Sequence, residues 1–222
     1  MTSEPDHRVV IRDVDWAFYE QLVDSIPEDA NLHVNYDGKD LEIMSPSALH
    51  DGDKKLLGQL VEAVAQELEI PYQGFGQTTW KRPEVGRGLE ADECYDFAPE
   101  KIAAATAAKS RRSRNIADYP NPDLAIEFDI SPSKIDRPGI YAALQVSEVW
   151  RLGRLEGEIG QVIIERLGEE GSYHAVEASE LLPIGAEEIR RWVIEEDSSD
   201  QSAWGRRLRA WARVELASRR PR

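Results

Sequence analysis

Apolar residues recur at intervals of three and four in two parts of the chain, which is the spacing of one helix face. In residues 16–23 the pattern ends just before the tripeptide at 25–27, whose proline stops a helix. In residues 47–70 the pattern is longer and lies between two prolines. We therefore predict a short leading helix and one long amphipathic helix.

Runs rich in β-branched and aromatic residues predict strands. The clearest pair, 33–36 and 41–44, is joined by Asp37-Gly38-Lys39, a sequence typical of a tight hairpin turn. Further strands are predicted at 72–82 (one or two strands), 91–97, 123–130, 148–152 and 159–167. Strands that alternate with helices along the chain favour an α/β fold in which a mixed β-sheet is flanked by α-helices.

The remaining segments predict shorter helices and an arrangement in three parts. Pro138 suits the first turn of a helix that runs through Val146, and helices are also predicted at 182–194 and 203–216. We predict an N-terminal arm and helix at 1–30, a central domain at 31–195, and an acidic linker with a basic C-terminal helix at 196–222.

Composition excludes several classes of protein. Cys94 is the only cysteine, so the chain has neither an internal disulfide nor a cysteine-based zinc cluster. The four histidines are scattered without ligand spacing, which disfavours a zinc hydrolase. No apolar run approaches the ~20 residues needed to span a bilayer, and the first residues are unlike a signal peptide. We therefore expect a cytoplasmic protein that does not enter the membrane.

The chain is acidic, but its cations are clustered. A formal net charge of −15 argues against indiscriminate binding to nucleic acid. Lys101, Lys109, Arg111, Arg112 and Arg114 nevertheless follow one another with no acid before Asp118, and seven arginines lie between Arg206 and Arg222. Each cluster is either a solvated surface or a set of phosphate contacts.

Two of the predicted strands carry acidic residues on one face. Successive side chains of a strand point to opposite faces, so Asp123, Glu127 and Asp129 share a face in 123–130. In 91–97 the same alternation places Asp92 and Asp96 together. One interpretation is that the acidic face of 123–130 is simply exposed to solvent. The other is that Asp92 and Glu127 meet across neighbouring strands, where two hard oxygen donors suit Mg²⁺.

Four ordered motifs resemble those of the Uma-type restriction endonuclease family, part of the PD-(D/E)xK nuclease superfamily. They are LEIMSP at 41–46, GLEADECY at 88–95, NPDLAIE at 121–127 and IYAALQVSEVWR at 140–151. The resemblance covers roughly residues 10 to 195. It implies a restriction-endonuclease-like core and hydrolysis of DNA phosphodiester bonds with Mg²⁺ or Mn²⁺.

The resemblance also assigns residues to roles. Asp92 and Glu127 take the places of the two metal-binding carboxylates. The lysine of the superfamily pattern would fall two residues after Glu127, where this chain has Asp129. Arg137 and Lys134 are the candidates for the missing cation, although Arg137 would also suit an ion pair with Asp129 or Asp136.

Two further carboxylates are candidate metal ligands by the same resemblance. Glu42 lies in the predicted hairpin, and Glu62 flanks the apolar stripe of the long helix. Either could instead be an ordinary surface residue.

The resulting hypothesis is a metal-dependent endonuclease whose DNA substrate is gripped by Lys109, Arg111, Arg112 and Arg114. Cutting both strands of a duplex requires two active sites, which favours a homodimer. One alternative is a nuclease fold that no longer cuts and acts as a regulatory or interaction module. Another is a glycosidase with two carboxylates, disfavoured because only 8% of residues are aromatic.

Overall fold

The computed structural model describes residues 7–27, 30, 32–45, 50–129, 131–155 and 158–219. Parts of the sequence-based prediction lie outside these residues. They include residues 1–6 of the predicted N-terminal arm, the start of the long helix at residue 47, the last residue of the 123–130 strand, and the arginines at 220 and 222.

The described residues form six α-helices and eleven β-strands. The helices are α1 (Trp16–Ser25), α2 (His50–Glu67), α3 (Pro99–Ser110), α4 (Arg137–Ala143), α5 (Ala186–Arg190) and α6 (Gln201–Trp211). The strands are β1 (His7–Ile11), β2 (His33–Tyr36), β3 (Leu41–Ser45), β4 (Gln73–Gly74), β5 (Thr78–Arg82), β6 (Arg87–Ala91), β7 (Glu93–Asp96), β8 (Leu124–Asp129), β9 (Glu148–Leu155), β10 (Glu158–Leu167) and β11 (Tyr173–Val176). Short π-helical turns extend α5 and α6.

The strands belong to two sheets. The N-terminal sheet is antiparallel, with the strand order β1-β3-β2-β6-β5. The central sheet has the order β11-β10-β9-β8-β7-β4 and is mixed, because β8 and β9 run parallel while its other pairs are antiparallel. The predicted α/β class, with a mixed sheet flanked by helices, is confirmed.

Within the predicted strand 91–97 the chain passes from one sheet to the other at a single residue. Ala91 ends β6 in the N-terminal sheet, Glu93 begins β7 in the central sheet, and Asp92 lies between them. The alternating pattern did not indicate this break because it continues through Asp92. The strand β6 that precedes the break was not predicted.

Helices cover both faces of the central sheet. On one face, α2 packs Leu60 and Val64 into an apolar cluster with Ile126 and Trp150, and α6 packs on α2. On the other face, a second cluster contains Trp80, Cys94, Ala125 and Tyr141 of α4. Because β8 contributes to both clusters, Glu127 in this strand is buried and its charge needs a partner.

Both ends of the described chain contact the central segment. β1 pairs with β3, and Arg213 near the C-terminus forms a 2.7 Å ion pair with Glu67 of α2. Arg219 similarly pairs with Glu188 at 2.9 Å. These two arginines are therefore used within the fold. Among the described residues, none of the helices combines the length and apolar character that crossing a membrane would require.

Candidate active site

Asp92 and Glu127 lie near each other where the chain passes from the N-terminal sheet to the central sheet. In the antiparallel pair β7–β8, Glu93 lies opposite Ile126. The backbone N–H of Asp92 donates to the carbonyl oxygen of the same Ile126 at 3.2 Å, which holds Asp92 beside the part of β8 that carries Glu127. Both carboxylates are buried, with 1% and 3% of the residue exposed.

Both carboxylates also lie close enough to Cys94 to affect the pKa of its thiol. Burial is the main cause that raises the pKa of the Cys94 thiol well above its usual value, and the negative charges of Glu127, Glu93 and Asp92 raise it further. The Trp80 indole N–H donates to Cys94 Sγ at 3.1 Å and opposes this shift. Cys94 is therefore a neutral, inert thiol near the two acids.

Helix α4 directs two side chains to Glu127. The guanidinium of Arg137 forms an ion pair with Glu127 Oε1, and the hydroxyl of Tyr141 donates a hydrogen bond to the same oxygen. Residues four apart lie on one side of a helix, so Arg137 and Tyr141 can reach the same carboxylate. Asp136 begins the helix by accepting a 3.0 Å hydrogen bond from the backbone N–H of Gly139.

The sequence suggested Asp129 or Asp136 as the ion-pair partner of Arg137. In the structure Arg137 pairs with Glu127. Asp136 is engaged as the cap of α4, and the side chain of Asp129 lies outside the described part of the structure. Lys134, the other candidate cation, is exposed in the loop between β8 and α4. Sequence reasoning missed Tyr141 because its apolar neighbours mark it only as a core residue.

Glu42 holds the loop that leads to α4. Its carboxylate accepts hydrogen bonds from Arg8 at 2.8 Å, from the Ser133 hydroxyl at 2.9 Å and from the backbone N–H of Lys134 at 2.8 Å. Both carboxylate oxygens of Glu42 are thus engaged, and the residue is fully buried. This network connects β1 and β3 of the N-terminal sheet to the loop after β8.

Glu62 lies on the opposite side of the central sheet from Asp92 and Glu127. It is exposed on α2, near the ring of Tyr95, whose hydroxyl contacts the carbonyl oxygen of Gly58 on the same helix. Glu62 lines a groove of about 290 Å³ between α2 and α6, together with Arg209 and polar residues of both helices. The structure therefore does not bring Glu62 to the other three predicted carboxylates.

The cationic segment lies in the last turn of α3 and in the loop that follows it. Lys109, Arg111, Arg112 and Arg114 are all exposed. The Lys109 ammonium lies 5.1 Å from the centroid of the Phe75 ring, a cation–π contact.

Asp123 docks α3 against the central sheet. It accepts hydrogen bonds from the backbone N–H groups of Phe97 and Ala98, at 2.8 and 2.7 Å, and pairs with Lys101 at 2.6 Å.

Asp96 is a second buried acid at this end of β7. Burial, followed by the charge of Asp123, raises the pKa of Asp96 to about 7, while Lys101 and Lys109 oppose the shift. Neither of its carboxylate oxygens has a hydrogen-bond partner in the part of the chain that the structure describes. The strand pattern placed Asp96 on the face of Asp92, but gave no sign of its burial.

The donor set fits a hard divalent cation in its chemistry. Asp92 and Glu127 are buried near each other and offer carboxylate oxygens, the ligands that Mg²⁺ and Mn²⁺ prefer. Within the described ranges, no three or more side chains of His, Cys, Asp or Glu converge on a point where they could hold a metal. Water or backbone oxygens would therefore have to complete the coordination shell.

These features define an α/β protein with two neighbouring, buried carboxylates at the junction of two sheets and a cation supplied by the following helix. The family model Uma2, described as "Putative restriction endonuclease", matches residues 16–190. The chain belongs to this family, and the resemblance inferred from the four motifs is confirmed.

Among solved structures, the chain is similar to one described as a "putative nuclease belonging to DUF820" from Anabaena variabilis ATCC 29413. The two chains share 13% identity, the match covers 82% of this chain and 99% of that one, and the TM-score is 0.49. No curated protein sequence matches this chain.

Proposed function

We propose that the protein is a divalent-metal-dependent endonuclease that hydrolyses phosphodiester bonds of DNA. The observation that carries the proposal is the burial of Asp92 and Glu127 close to each other at the sheet junction: the Asp92 carboxylate accepts a hydrogen bond from the backbone N–H of Phe128, next to Glu127, and Arg137 contacts Glu127. Two buried carboxylates that are close together repel each other and have lost their hydration, which costs free energy of folding. A bound divalent cation would compensate their charge.

Asp92 and Glu127 would hold Mg²⁺ or Mn²⁺. The bound metal would supply Lewis-acid polarisation of a phosphoryl oxygen and a more acidic water. Asp92 is suited to this role because its backbone N–H is bonded to Ile126 of β8 and its preceding residue belongs to β6. The position of its carboxylate then depends on only two side-chain torsions.

Arg137 would neutralise charge on the scissile phosphate and orient the attacking water. A guanidinium stays protonated at all working pH values, so it cannot serve as a general base. Lys134 is exposed in the loop before α4, where it would contact a phosphate next to the one that is cut. Glu42 holds the backbone of Lys134 and thereby positions this loop, so its carboxylate is assigned to structure and not to the metal.

Lys109, Arg111, Arg112 and Arg114 would contact the DNA backbone. All four are exposed, and α3 that leads to them is docked on the central sheet through Asp123. A local patch of four cations can bind phosphates even though the whole chain carries −15, because salt screens charges more than about 10 Å away.

The proposal includes a homodimer and a cytoplasmic location. Two copies of one site are needed to cut both strands of a duplex, and a single buried cysteine is compatible with a reducing compartment. Light scattering of the purified protein at micromolar concentration, with and without a short duplex, tests the dimer. A monomer under both conditions would contradict it.

The test of activity is nicking of supercoiled plasmid DNA in Mg²⁺ or Mn²⁺. We expect Asp92→Asn and Glu127→Gln to lower the rate by a factor of about 10² or more, because each removes one charged ligand. Glu215→Gln, which changes an exposed carboxylate of the C-terminal helix in the same way, is the matched control and should cut at the rate of the wild type. Equal cutting by all four proteins would refute the assignment of the site.

A binding module that no longer cuts is the second candidate. The observation in its favour is that Arg137 already neutralises Glu127, which reduces the need for a metal. This candidate predicts salt-sensitive binding of DNA with no nicking in Mg²⁺, Mn²⁺ or Co²⁺. Metal-dependent nicking that Asp92→Asn abolishes would exclude it.

A further inference from the structure

Tyr141 combines an apolar position with one polar contact. Only 1% of the residue is exposed, and its ring belongs to the cluster that contains Trp80, Ala125 and Ile140. Its hydroxyl nevertheless reaches β8 and donates to Glu127 Oε1. A phenylalanine would fill the same space, so the hydroxyl is the group that requires an explanation.

We propose that Tyr141 is a positioning residue that sets the affinity of the site for a divalent cation by orienting the carboxylate of Glu127. The inference rests on the proposed function, because it takes Glu127 to be a metal ligand. Tyr141 touches neither metal nor substrate in this role and acts only through Glu127.

The physical basis is the ordering of a flexible ligand before the metal arrives. A glutamate has three side-chain torsions, and fixing them when the cation binds would reduce affinity. The hydrogen bond from Tyr141 ties Oε1 to α4, so the rotamer of Glu127 is established when the protein folds. Hydrogen-bond partners of metal ligands act in this way at many metal sites.

Arg137 cannot perform this task alone. It contacts the same oxygen as Tyr141, but it carries a positive charge that repels an incoming cation. The hydroxyl of Tyr141 is neutral, so it orients the carboxylate without this repulsion. Replacing Tyr141 by phenylalanine therefore removes the hydrogen bond that orients Glu127, while the net charge of the site stays constant.

Calorimetric titration of the metal-free protein with MnCl₂ tests the proposal. We expect Tyr141→Phe to bind Mn²⁺ about 10-fold more weakly than the wild type. The matched control is Tyr173→Phe: the Tyr173 ring packs against the same apolar cluster, but its hydroxyl donates to the carbonyl oxygen of Val146, away from Glu127. Tyr173→Phe should bind Mn²⁺ with the affinity of the wild type.

A double-mutant cycle without metal tests the contact itself. The urea midpoints of Tyr141→Phe, Glu127→Gln and the double variant should be non-additive, because the second substitution has less to remove once the first has broken the hydrogen bond. A purely structural hydroxyl would give the same non-additivity but would leave the Mn²⁺ affinity unchanged. The affinity therefore distinguishes the two roles.

The outcomes separate this inference from the proposed function. If the wild type binds Mn²⁺ and Tyr141→Phe binds it equally well, the positioning role is refuted and the metal site stands. If Asp92→Asn and Glu127→Gln lose binding while Tyr141→Phe is weakened and Tyr173→Phe is not, both are supported. If the wild type binds no Mn²⁺, the metal-dependent function is refuted and this inference with it.

Discussion

The backbone N–H of Phe128 donates a 2.8 Å hydrogen bond to Oδ2 of Asp92, and both groups are buried. Phe128 follows Glu127 directly, so this bond ties the junction between the two sheets to the strand that carries the second acid. The position of the Asp92 carboxylate relative to β8 is thus fixed by a backbone group. Such a site is held more rigidly than one built from side chains on loops.

We expect the hydrogen bond between the Phe128 N–H and Asp92 to stabilise the fold. Asp92→Ala leaves a buried N–H without an acceptor and should lower the free energy of unfolding by about 1–3 kcal/mol. Asp92→Asn retains a carbonyl oxygen that can accept the bond, so its loss should be smaller. Urea denaturation followed by circular dichroism measures both. Equal losses in the two variants would show that the hydrogen bond contributes little.

The buried ion pair between Arg8 and Glu42 makes a second prediction. Their side chains are only 3% and 0% exposed, so Glu42→Ala would leave the charge of Arg8 buried and unbalanced. We expect the free energy of unfolding to fall by about 3–5 kcal/mol. Arg8→Met combined with Glu42→Met should recover part of this loss, since no charge then remains buried.

The control for this prediction is an exposed pair in the same protein. Arg213→Gln removes the ion pair with Glu67, in which the arginine side chain is 68% exposed. Surface pairs contribute little, so the change in the urea midpoint should be small. A loss from Arg213→Gln as large as that from Glu42→Ala would contradict the importance assigned to burial.

Because the pKa of Asp96 is raised in the folded protein, we expect the free energy of unfolding to depend on pH. Its pKa of about 7 in the folded protein lies above the ordinary value for aspartate, which applies to the unfolded chain. Between about pH 4 and pH 7 the folded state therefore holds a proton that the unfolded state has released. Stability should fall as pH rises through this window, by up to about 1.4 kcal/mol per pH unit, and then level off.

Asp96→Asn removes this contribution. Urea unfolding of both proteins at intervals from pH 5 to pH 8 should show a smaller decline for the variant, which should be the more stable of the two above pH 7. Parallel curves for the two proteins would mean that Asp96 titrates near its ordinary value. The carboxamide is nearly isosteric with the acid, so the comparison changes the charge with little change in packing.

The cationic segment predicts a change in the salt dependence of DNA binding. If Lys109, Arg111, Arg112 and Arg114 contact phosphates, replacing all four with alanine should reduce the slope of log K against log salt by about 0.9 for each lost contact. Fluorescence anisotropy with a labelled duplex at several NaCl concentrations measures the slope. The matched control replaces four arginines of the C-terminal helix: Arg206, Arg207, Arg209 and Arg213. An unchanged slope in the first variant would refute the assignment.

Local sequence patterns predicted most of the regular elements. The long helix α2 and the hairpin of β2 and β3 were indicated correctly because their apolar spacing and turn residues act over a few positions. The edge strands β1 and β11 were missed. Both are short and pair on one side within the described sheets, so their side chains show little of the burial pattern that marks a strand.

The candidate site was predictable in part. Alternation placed Asp92 and Glu127 on polar faces of their strands, and the family resemblance paired them. The same reasoning could not place Glu62, since a helix residue at the edge of an apolar stripe can lie beside either face of a sheet. It also missed the partners of Glu127 on α4.

The sequence by itself determined the α/β class and the family, and it singled out Asp92 and Glu127 as candidate site residues, because these depend on periodicity and motifs that are local to each segment. Only the tertiary structure decided that Asp92 stands between two sheets, 36 positions from its partner Phe128, and that Tyr141 and Arg137 meet Glu127. These contacts depend on strand register and on the packing of α4. Both are set by the burial of many side chains at once, which no local pattern specifies.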